Sequence, residues 1–408
     1  MLTFWCERAW LPSGIAAGVL VECDDGVITS VSTDVAPSGD MLHGLVLPGF
    51  ANAHSHAFQR ALRGRAAGGD FWAWRETMYA LAARLDPDNY YALALATYAE
   101  MALAGVTAVG EFDYVHESDV LRAAARDAGI RLTLIDACYL AGGIGRPLAP
   151  EQQRFSDGDV NAWRKRVNAF EDDANTRIGV AAHSVRAVAA DDLTKIAAAA
   201  EGRPLHIHLS EQPAENEACL AAYGVTPTAL LAQHGFLGEN TTVVHATHLT
   251  DADVELLAGV NVCFCPTTER DLADGIGSAR KFSRLSLGSD QNAVIDLLAE
   301  AQALELDERL ASGRRANFSV EELVGALTNH SSLGWQAGRI EKGMLCDLVA
   351  VRTDTVRTAG ARIEELPLVA GAPDISDVIV SGRHVVRGGE HAIGNVAEAL
   401  ETAIAALT

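Results

Sequence analysis

Short apolar runs alternate with capped helical stretches between Val46 and Gly338. In one such unit, Asp86 and Pro87 supply an N-cap and a first-turn proline, which predict the start of a helix that ends at Gly105. The residues that follow, 106–112, are mostly β-branched or apolar and predict a buried strand. We therefore expect repeated strand and helix units over this part of the chain.

The same alternation predicts seven further strands, near Val46 and at residues 131–138, 177–183, 205–209, 242–246, 260–265 and 285–289. Further helices are predicted to begin at Ser118, Asp191, Thr226, Thr250 and near Asn292. Strands that alternate with helices favour a parallel sheet, and eight of them suit a (β/α)₈ TIM-type barrel of roughly 250 residues. A doubly wound sheet is the alternative. The barrel is preferred because polar candidates recur at strand carboxyl ends, where barrels keep their active sites.

The two chain ends have a different pattern. Short alternating runs broken by Gly and Asp turns occur at residues 19–28, 347–351 and 378–386. We expect residues 1–47 and 340–408 to form one small β-sandwich domain beside a catalytic barrel of residues 48–339.

The 408-residue chain carries 54 acidic and 32 basic residues, a formal net charge of −22. A surface of this charge repels nucleic acid and anionic membranes, so an anionic small molecule would bind only where arginines reverse the field. No apolar run long enough for a membrane span and no signal peptide are visible. The scattered cysteines predict reduced thiols in a cytoplasmic protein. Cys263 and Cys265 alternate as on a strand and are interpreted as core residues.

Two pairs of residues at strand ends suggest metal chemistry. His54 and His56 end one predicted strand, where residues i and i+2 face the same side and both imidazoles can face one metal. A hydrogen-bonded pair in the core is the simpler alternative. His208 ends another strand, and Glu211 follows at its exit, where a carboxylate beside a metal-bound water can transfer protons. A structural histidine with a surface glutamate is the alternative here.

His245 and Asp290 end two more predicted strands. Each alone could be a core histidine or a helix N-cap. Their coincidence with the other histidines at the carboxyl ends of separate strands predicts a site for one metal. Three histidines and one aspartate with an open position suit zinc, with iron and manganese as alternatives. Such a metal lowers the pKa of a bound water to about 7 and provides hydroxide at neutral pH.

These residues lie in longer segments that resemble the amidohydrolase superfamily in its deaminase branch, and within it the formimidoylglutamate deiminases of histidine degradation. The segments are 54–60 (HSHAFQR), 71–76 (FWAWRE), 111–116 (EFDYVH), 206–212 (HIHLSEQ) and 245–249 (HATHL). The resemblance extends from Pro48 to Asp347. No lysine lies in residues 177–183, where related barrels that hold a second metal place a bridging carbamate, and this favours a single metal.

The resemblance implies a role for each candidate residue. The metal ligands would be His54, His56, His208 and Asp290. Catalysis would use Glu211 as the proton shuttle, with His245 and Asp290 beside the water or the formimidoyl group. The substrate would be bound by Gln59, Arg75, Tyr114, His183 and Arg186. Arginine fits this role physically because it binds carboxylates through two parallel hydrogen bonds. Surface ion pairs remain the alternative for the arginines, and ordinary packing for Tyr114 and Gln59.

The predicted reaction is hydrolysis of N-formimidoyl-L-glutamate to N-formyl-L-glutamate and ammonia, with one divalent metal as cofactor. Three alternatives stay open: the formimidoyl-aspartate substrate, a purine, pterin or thioadenosine substrate, and a metal-free ligand-binding barrel. The resemblance also implies a homodimer.

Overall fold

The computed structural model describes residues 1–66 and 68–407. Its strands are β1 (Leu2–Leu11), β2 (Gly14–Asp24), β3 (Val27–Ser32), β4 (Asp40–Pro48), β5 (Phe50–Ser55), β6 (Val106–Asp113), β7 (Arg131–Cys138), β8 (Thr176–Ala182), β9 (Leu205–Leu209), β10 (Thr241–His245), β11 (Asn261–Phe264), β12 (Leu285–Leu287), β13 (Leu348–Val351), β14 (Ile375–Val380), β15 (Arg383–Arg387) and β16 (Glu390–His391).

The α-helices are α1 (Phe71–Ala82), α2 (Pro87–Leu103), α3 (Ser118–Ala128), α4 (Val160–Val167), α5 (Ala190–Ala200), α6 (Pro213–Tyr223), α7 (Pro227–Gln233), α8 (Asp251–Leu256), α9 (Pro266–Asp271), α10 (Leu297–Ser312), α11 (Val320–Leu327) and α12 (Val396–Ala405). Short 3₁₀ helices span Ala57–Leu62, Pro150–Phe155, Ala279–Lys281, His330–Leu333, Ile363–Leu368 and Ala372–Asp374.

Strands β5 to β12 form a closed parallel barrel in chain order. Each strand pairs with the next, and β12 closes the barrel by pairing Leu287 with Asn52 of β5. The predicted barrel is therefore confirmed, and closure excludes the doubly wound sheet. All carboxyl ends of the barrel strands open on the same side, where loops and helices cover the candidate residues.

Two predicted element boundaries are wrong, each for a physical reason. Val46 lies in β4 of the second sheet, and the first barrel strand begins after Gly49, where a Cβ would overlap the side chains of Thr107 and Asp347. The helix expected near Asn292 begins instead at Leu297. Asn292 has a left-handed φ of 59°, and its side-chain amide donates to the His56 carbonyl oxygen at 2.9 Å. That hydrogen bond holds a loop against the end of β5, so the helix begins only after this loop.

The two chain ends meet in one mixed sheet of eight strands, in the order β16-β15-β14-β13-β4-β1-β2-β3. The ends join where β4 pairs antiparallel with β13. Side chains alternate between two cores: Val46 and Leu348 pack inside the second sheet, whereas Leu47 and Val349 pack toward the barrel. The predicted union of both chain ends in one β domain is confirmed.

The seven cysteines are free and buried, and Cys263 and Cys265 pack in a small apolar cluster with Ala53 and Val244. Within residues 1–66 and 68–407, no helix has both the length and the apolar character needed to span a bilayer.

Candidate active site

The carboxyl ends of β5, β9 and β12 bring four buried side chains together: His54, His56, His208 and Asp290. The loop after β12 is pinned to β5 by the backbone, because the Asp290 N–H donates to the His54 carbonyl oxygen at 3.0 Å and the His56 N–H donates to the Asp290 carbonyl oxygen at 2.9 Å. Asp290 is not a helix N-cap, since Asp296 caps α10. Its side chain is therefore available to the cluster.

One ligand atom from each of these four residues lies within 4.8 Å of all the others. The Asp290 Oδ1 atom is 3.3 Å from His54 Nε2 and 3.4 Å from His56 Nε2. The Nε2 atoms of His54 and His208 are 3.0 Å apart. Ring nitrogens and a carboxylate oxygen at this spacing converge on one point, as ligands of a single metal do.

The protonation states of the cluster fit a divalent metal. The His208 Nδ1 atom donates its hydrogen to the His183 carbonyl oxygen at 2.9 Å, which leaves the lone pair on Nε2 facing the cluster. Burial and the neighbouring His54 lower the pKa of His56 to about 3, so this imidazole is neutral. Burial also lowers the pKa of His54 and of His208. Burial works to raise the pKa of Asp290, but the hydrogen-bonding contact with His54 lowers this pKa, so the Asp290 carboxylate is ionised.

Glu211 and His245 lie beside the metal cluster. Glu211 Oε1 is 3.7 Å from His245 Nε2, and Glu211 Oε2 is 3.7 Å from an Arg186 nitrogen. Burial raises the pKa of Glu211, while His245 and Arg186 act in the opposite direction. Burial works to lower the pKa of His245, but the Glu211 and Glu269 carboxylates raise it well above its usual value. A buried carboxyl group with a raised pKa can accept and return a proton near neutral pH.

A cavity of about 670 Å³ opens over these residues. Of the residues that the sequence singled out, the cavity is lined by His56, Gln59, Arg75, Tyr114, His183, Arg186, His208, Glu211, His245 and Asp290. His54 lies behind this lining and is fully buried. The structure therefore places the sequence-derived candidates around one space.

The two candidate clamp arginines differ in their surroundings. The Arg186 Nε atom is 2.7 Å from Glu215 Oε2, and Glu211 lies nearby, so carboxylates already compensate its charge. The Arg75 guanidinium stacks over the rings of Trp72 at 4.6 Å and Tyr79 at 5.4 Å. In the described part of the chain, Arg75 forms no ion pair. Arg75 is thus the uncompensated positive charge of the cavity.

Gln59 and Tyr114 form a polar pair in the cavity lining. The Gln59 side-chain amide donates to the Tyr114 hydroxyl at 3.1 Å, and both side chains are buried. No protein partner for Gln59 Oε1 occurs among residues 1–66 and 68–407. The His183 ring contacts the rings of Tyr114 at 5.3 Å and His208 at 4.9 Å, and burial together with Arg186 lowers the pKa of His183 well below its usual value.

The structure adds site features that the sequence reasoning missed. Glu215 holds Arg186, and Glu269 lies 3.5 Å from His245 Nδ1. Glu215 lies in the first turn of α6, which follows β9, and Glu269 lies on α9, which follows β11, so the rule that barrel sites form at strand carboxyl ends could have found both. An aromatic wall also lines the cavity, made by Phe71, Trp74, Tyr79 and Tyr139. Phe71 and Trp74 lie in the segment 71–76 that carries the family resemblance, but α1 follows a loop and not a strand, so no strand-end signal assigned them to the site.

Comparison with known proteins gives consistent matches. Residues 45–385 match the amidohydrolase family. The chain is 35% identical to a formimidoylglutamate deiminase of Pseudomonas aeruginosa, with 96% of each chain covered. It is 28% identical to a 5-methylthioadenosine/S-adenosylhomocysteine deaminase of Natronomonas pharaonis, over 92% of this chain and 89% of the other. A solved amidohydrolase from Brucella melitensis superposes with a TM-score of 0.89 at 31% identity and full coverage of both chains. The chain belongs to the amidohydrolase family, whose deiminase and deaminase members hydrolyse carbon–nitrogen bonds.

Proposed function

We propose that this chain hydrolyses N-formimidoyl-L-glutamate to N-formyl-L-glutamate and ammonia, with one zinc ion as its cofactor. The observation that carries the proposal is that three members of the His₃Asp cluster, His56, His208 and Asp290, line the same cavity as the uncompensated Arg75. The cluster suits hydrolysis, and the arginine suits a carboxylate on the substrate. The similarity to the Pseudomonas aeruginosa deiminase supports the same reaction.

A divalent metal bound by His54, His56, His208 and Asp290 would supply Lewis-acid activation of a water molecule. Glu211 would accept a proton from the attacking water and deliver it to the terminal nitrogen of the formimidoyl group. The water oxygen forms a bond to the formimidoyl carbon, and the bond from that carbon to the terminal nitrogen breaks. Both protons of the water leave with that nitrogen as ammonia, and the formyl group remains on glutamate. Protonated His245 would donate a hydrogen bond to the oxygen that bonds to carbon.

The remaining cavity residues would bind the glutamate portion. Arg75 can form two parallel hydrogen bonds to one carboxylate, and the stacked rings of Trp72 and Tyr79 hold its guanidinium in place. Arg186, already paired with Glu215, would contribute fewer free donors. The Gln59 carbonyl oxygen, which has no partner among the described residues, can accept a hydrogen bond from the formimidoyl nitrogen.

A second candidate is deamination of a purine compound. The aromatic wall of the cavity would stack against a purine ring, and the Natronomonas pharaonis relative is a deaminase of 5-methylthioadenosine and S-adenosylhomocysteine. Adenosine and 5-methylthioadenosine carry no carboxylate, however, and would leave the Arg75 guanidinium without a counter-charge, whereas S-adenosylhomocysteine carries a single carboxylate. The dicarboxylate substrate uses both the metal cluster and the Arg75 guanidinium.

Ammonia release by the zinc-loaded protein tests the proposal directly. N-formimidoyl-L-glutamate, N-formimidoyl-L-aspartate, 5-methylthioadenosine and adenosine are assayed side by side, and metal content is measured on the same sample. We expect release from the glutamate compound at the highest kcat/KM and one metal per chain. Release from a purine alone would replace the proposed substrate. The absence of bound metal after zinc loading would overturn the whole assignment in favour of a binding protein.

A further inference from the structure

A second cavity, of about 1210 Å³, adjoins the active-site cavity. The two share Arg75, Gly142 and Arg186. We call the second cavity the outer chamber. Its walls include Arg146, Glu215 and a stripe of alanines on α6, so a small molecule in the outer chamber lies beside three arginines and one carboxylate, which is the partner of Arg186. Arg146 has no role in the proposed reaction.

The backbone of Arg146 is fixed in a tight loop. The Gly142 N–H donates to the Arg146 carbonyl oxygen at 3.1 Å, and the Arg146 N–H donates to the Gly143 carbonyl oxygen at 2.9 Å. A Cβ built on Gly143 would lie 3.5 Å from Arg146 Cδ. The arginine side chain therefore runs along Gly143, which is itself part of the chamber wall.

The loop is also tied to the inner cavity. The Gln152 side-chain amide donates to the hydroxyls of Tyr79 at 3.1 Å and Tyr139 at 2.9 Å, and both tyrosines line the active-site cavity. Gln152 Oε1 packs against Gly142 so closely that a Cβ there would lie only 2.5 Å from it. Any side chain at position 142 would push the loop away. The position of Arg146 is thus set by groups that also shape the active site.

The charges at this opening are unbalanced. Arg186 is compensated by Glu215 and Glu211. Arg146 is exposed, and neither it nor Arg75 forms an ion pair in the region that the structure covers. In a chain of net charge −22, two unpaired guanidinium groups at one opening reverse the local field. The two unpaired guanidinium groups therefore favour binding of an anionic ligand at this opening.

Resting on the proposed function, we propose that the outer chamber is a carboxylate-binding subsite, in which Arg146 together with Arg75 holds one carboxylate of the dicarboxylate substrate on its way into the active site. The ligand class is a small dicarboxylate of about the length of glutarate. A guanidinium group binds such a carboxylate through paired hydrogen bonds, which a compact ammonium group cannot form.

Glutarate binding to the zinc-loaded full chain tests this subsite by titration calorimetry at low and high salt. We expect Arg146→Gln to weaken binding roughly 10-fold, because a hydrogen bond to a charged group is lost, and to reduce the salt dependence. Arg146→Lys should restore part of the affinity. Arg315→Gln is the matched control, since Arg315 is also exposed and unpaired among the described residues, and it should bind glutarate as the parent does.

The measurement separates this subsite from the proposed reaction, because glutarate binding requires no turnover. Glutarate binding that depends on Arg146, without ammonia release from N-formimidoyl-L-glutamate, would remove the proposed function and keep the subsite. Parent-like glutarate affinity of Arg146→Gln would overturn the subsite, whatever the enzyme's activity. An equal loss of affinity in Arg315→Gln would also overturn it, since the effect would then come from net charge alone.

Discussion

Buried polar groups at the two ends of the barrel differ in how they are satisfied. At the amino end, the Arg131 guanidinium donates to Asp347 and, at 2.5 Å, to the Ser381 hydroxyl. The Ser381 N–H donates in turn to Asp347 at 2.9 Å, which closes a triangle between β7 and the second sheet. Arg131 Nε takes no part in the triangle and has no hydrogen-bond partner among the described residues. At the carboxyl end, Gln59 Oε1 has no hydrogen-bond partner within residues 1–66 and 68–407. The His245 ring nitrogens form no hydrogen bond there either, and face only the carboxylates of Glu211 at 3.7 Å and Glu269 at 3.5 Å.

This difference separates residues that hold the fold together from residues kept for a ligand. A buried polar atom without a partner costs about 1–3 kcal/mol, so several such atoms around one cavity indicate groups available to a ligand. The closed triangle at the amino end contributes to joining the barrel and the second sheet. Substitutions at the amino end should therefore affect stability, and substitutions at the carboxyl end should affect turnover.

The largest effect is expected at the carboxyl end, from Glu211→Gln. Glutamine keeps the shape of the side chain but cannot accept the proton of the attacking water, so kcat should fall roughly 10²- to 10⁴-fold. Ammonia release measures the loss, and metal analysis and urea unfolding should match the parent. Glu217→Gln is the control, because Glu217 is exposed on α6, which follows Glu211 directly in the chain. Near-parental turnover of Glu211→Gln would show that another group transfers the proton.

Arg131→Met should produce the largest loss of stability. Removing the guanidinium leaves Asp347 buried without its charged partner, and we expect the free energy of unfolding to fall by about 3–5 kcal/mol. Urea unfolding measures this, and kcat of the folded fraction should not change. Adding Asp347→Leu should recover part of the loss, because it removes the uncompensated charge. Arg126→Met, at an exposed position, should shift stability by no more than about 0.5 kcal/mol.

Many site residues at the carboxyl end of the barrel could be predicted from the sequence, because their positions depend on local strand geometry. A strand places residues i and i+2 on one side, which brought His54 and His56 together, and a parallel barrel opens all its strand ends on one face. The same rule placed His208 and Asp290 near them. These regularities need only the strand pattern and the barrel, both of which the sequence indicated.

Features that depend on contacts distant in sequence could not be predicted. Arg75 and Arg186 cannot be distinguished in the sequence. Only the folded chain shows that Glu215 pairs with Arg186, while the charge of Arg75 is uncompensated. The break between β4 and β5 depends on how closely Thr107 and Asp347 approach Gly49. Three-dimensional packing, and not propensity, decides both.

The substitution Arg75→Met tests whether the two arginines have different roles. Loss of the uncompensated guanidinium should raise KM for N-formimidoyl-L-glutamate roughly 10- to 100-fold, since a hydrogen bond to a charged group contributes about 1.5–3 kcal/mol. Arg186→Met should also leave Glu215 buried without its partner, so it should lower stability as well as affinity. Steady-state kinetics and urea unfolding of both variants separate the effects. Unchanged KM in Arg75→Met would favour a substrate without a carboxylate.

The smallest effect is expected near the amino end, from Thr133→Val. The Thr133 hydroxyl accepts from Trp335 Nε1 at 3.0 Å and donates to the Leu333 carbonyl oxygen at 2.7 Å. Valine has the same shape but leaves both buried groups without a partner, so the free energy of unfolding should fall by about 1–3 kcal/mol. Thr29→Val, on an exposed strand position, is the control and should have little effect. If Thr133→Val changed kcat at constant stability, the amino end would also contribute to turnover, and the division of roles between the two ends would be wrong.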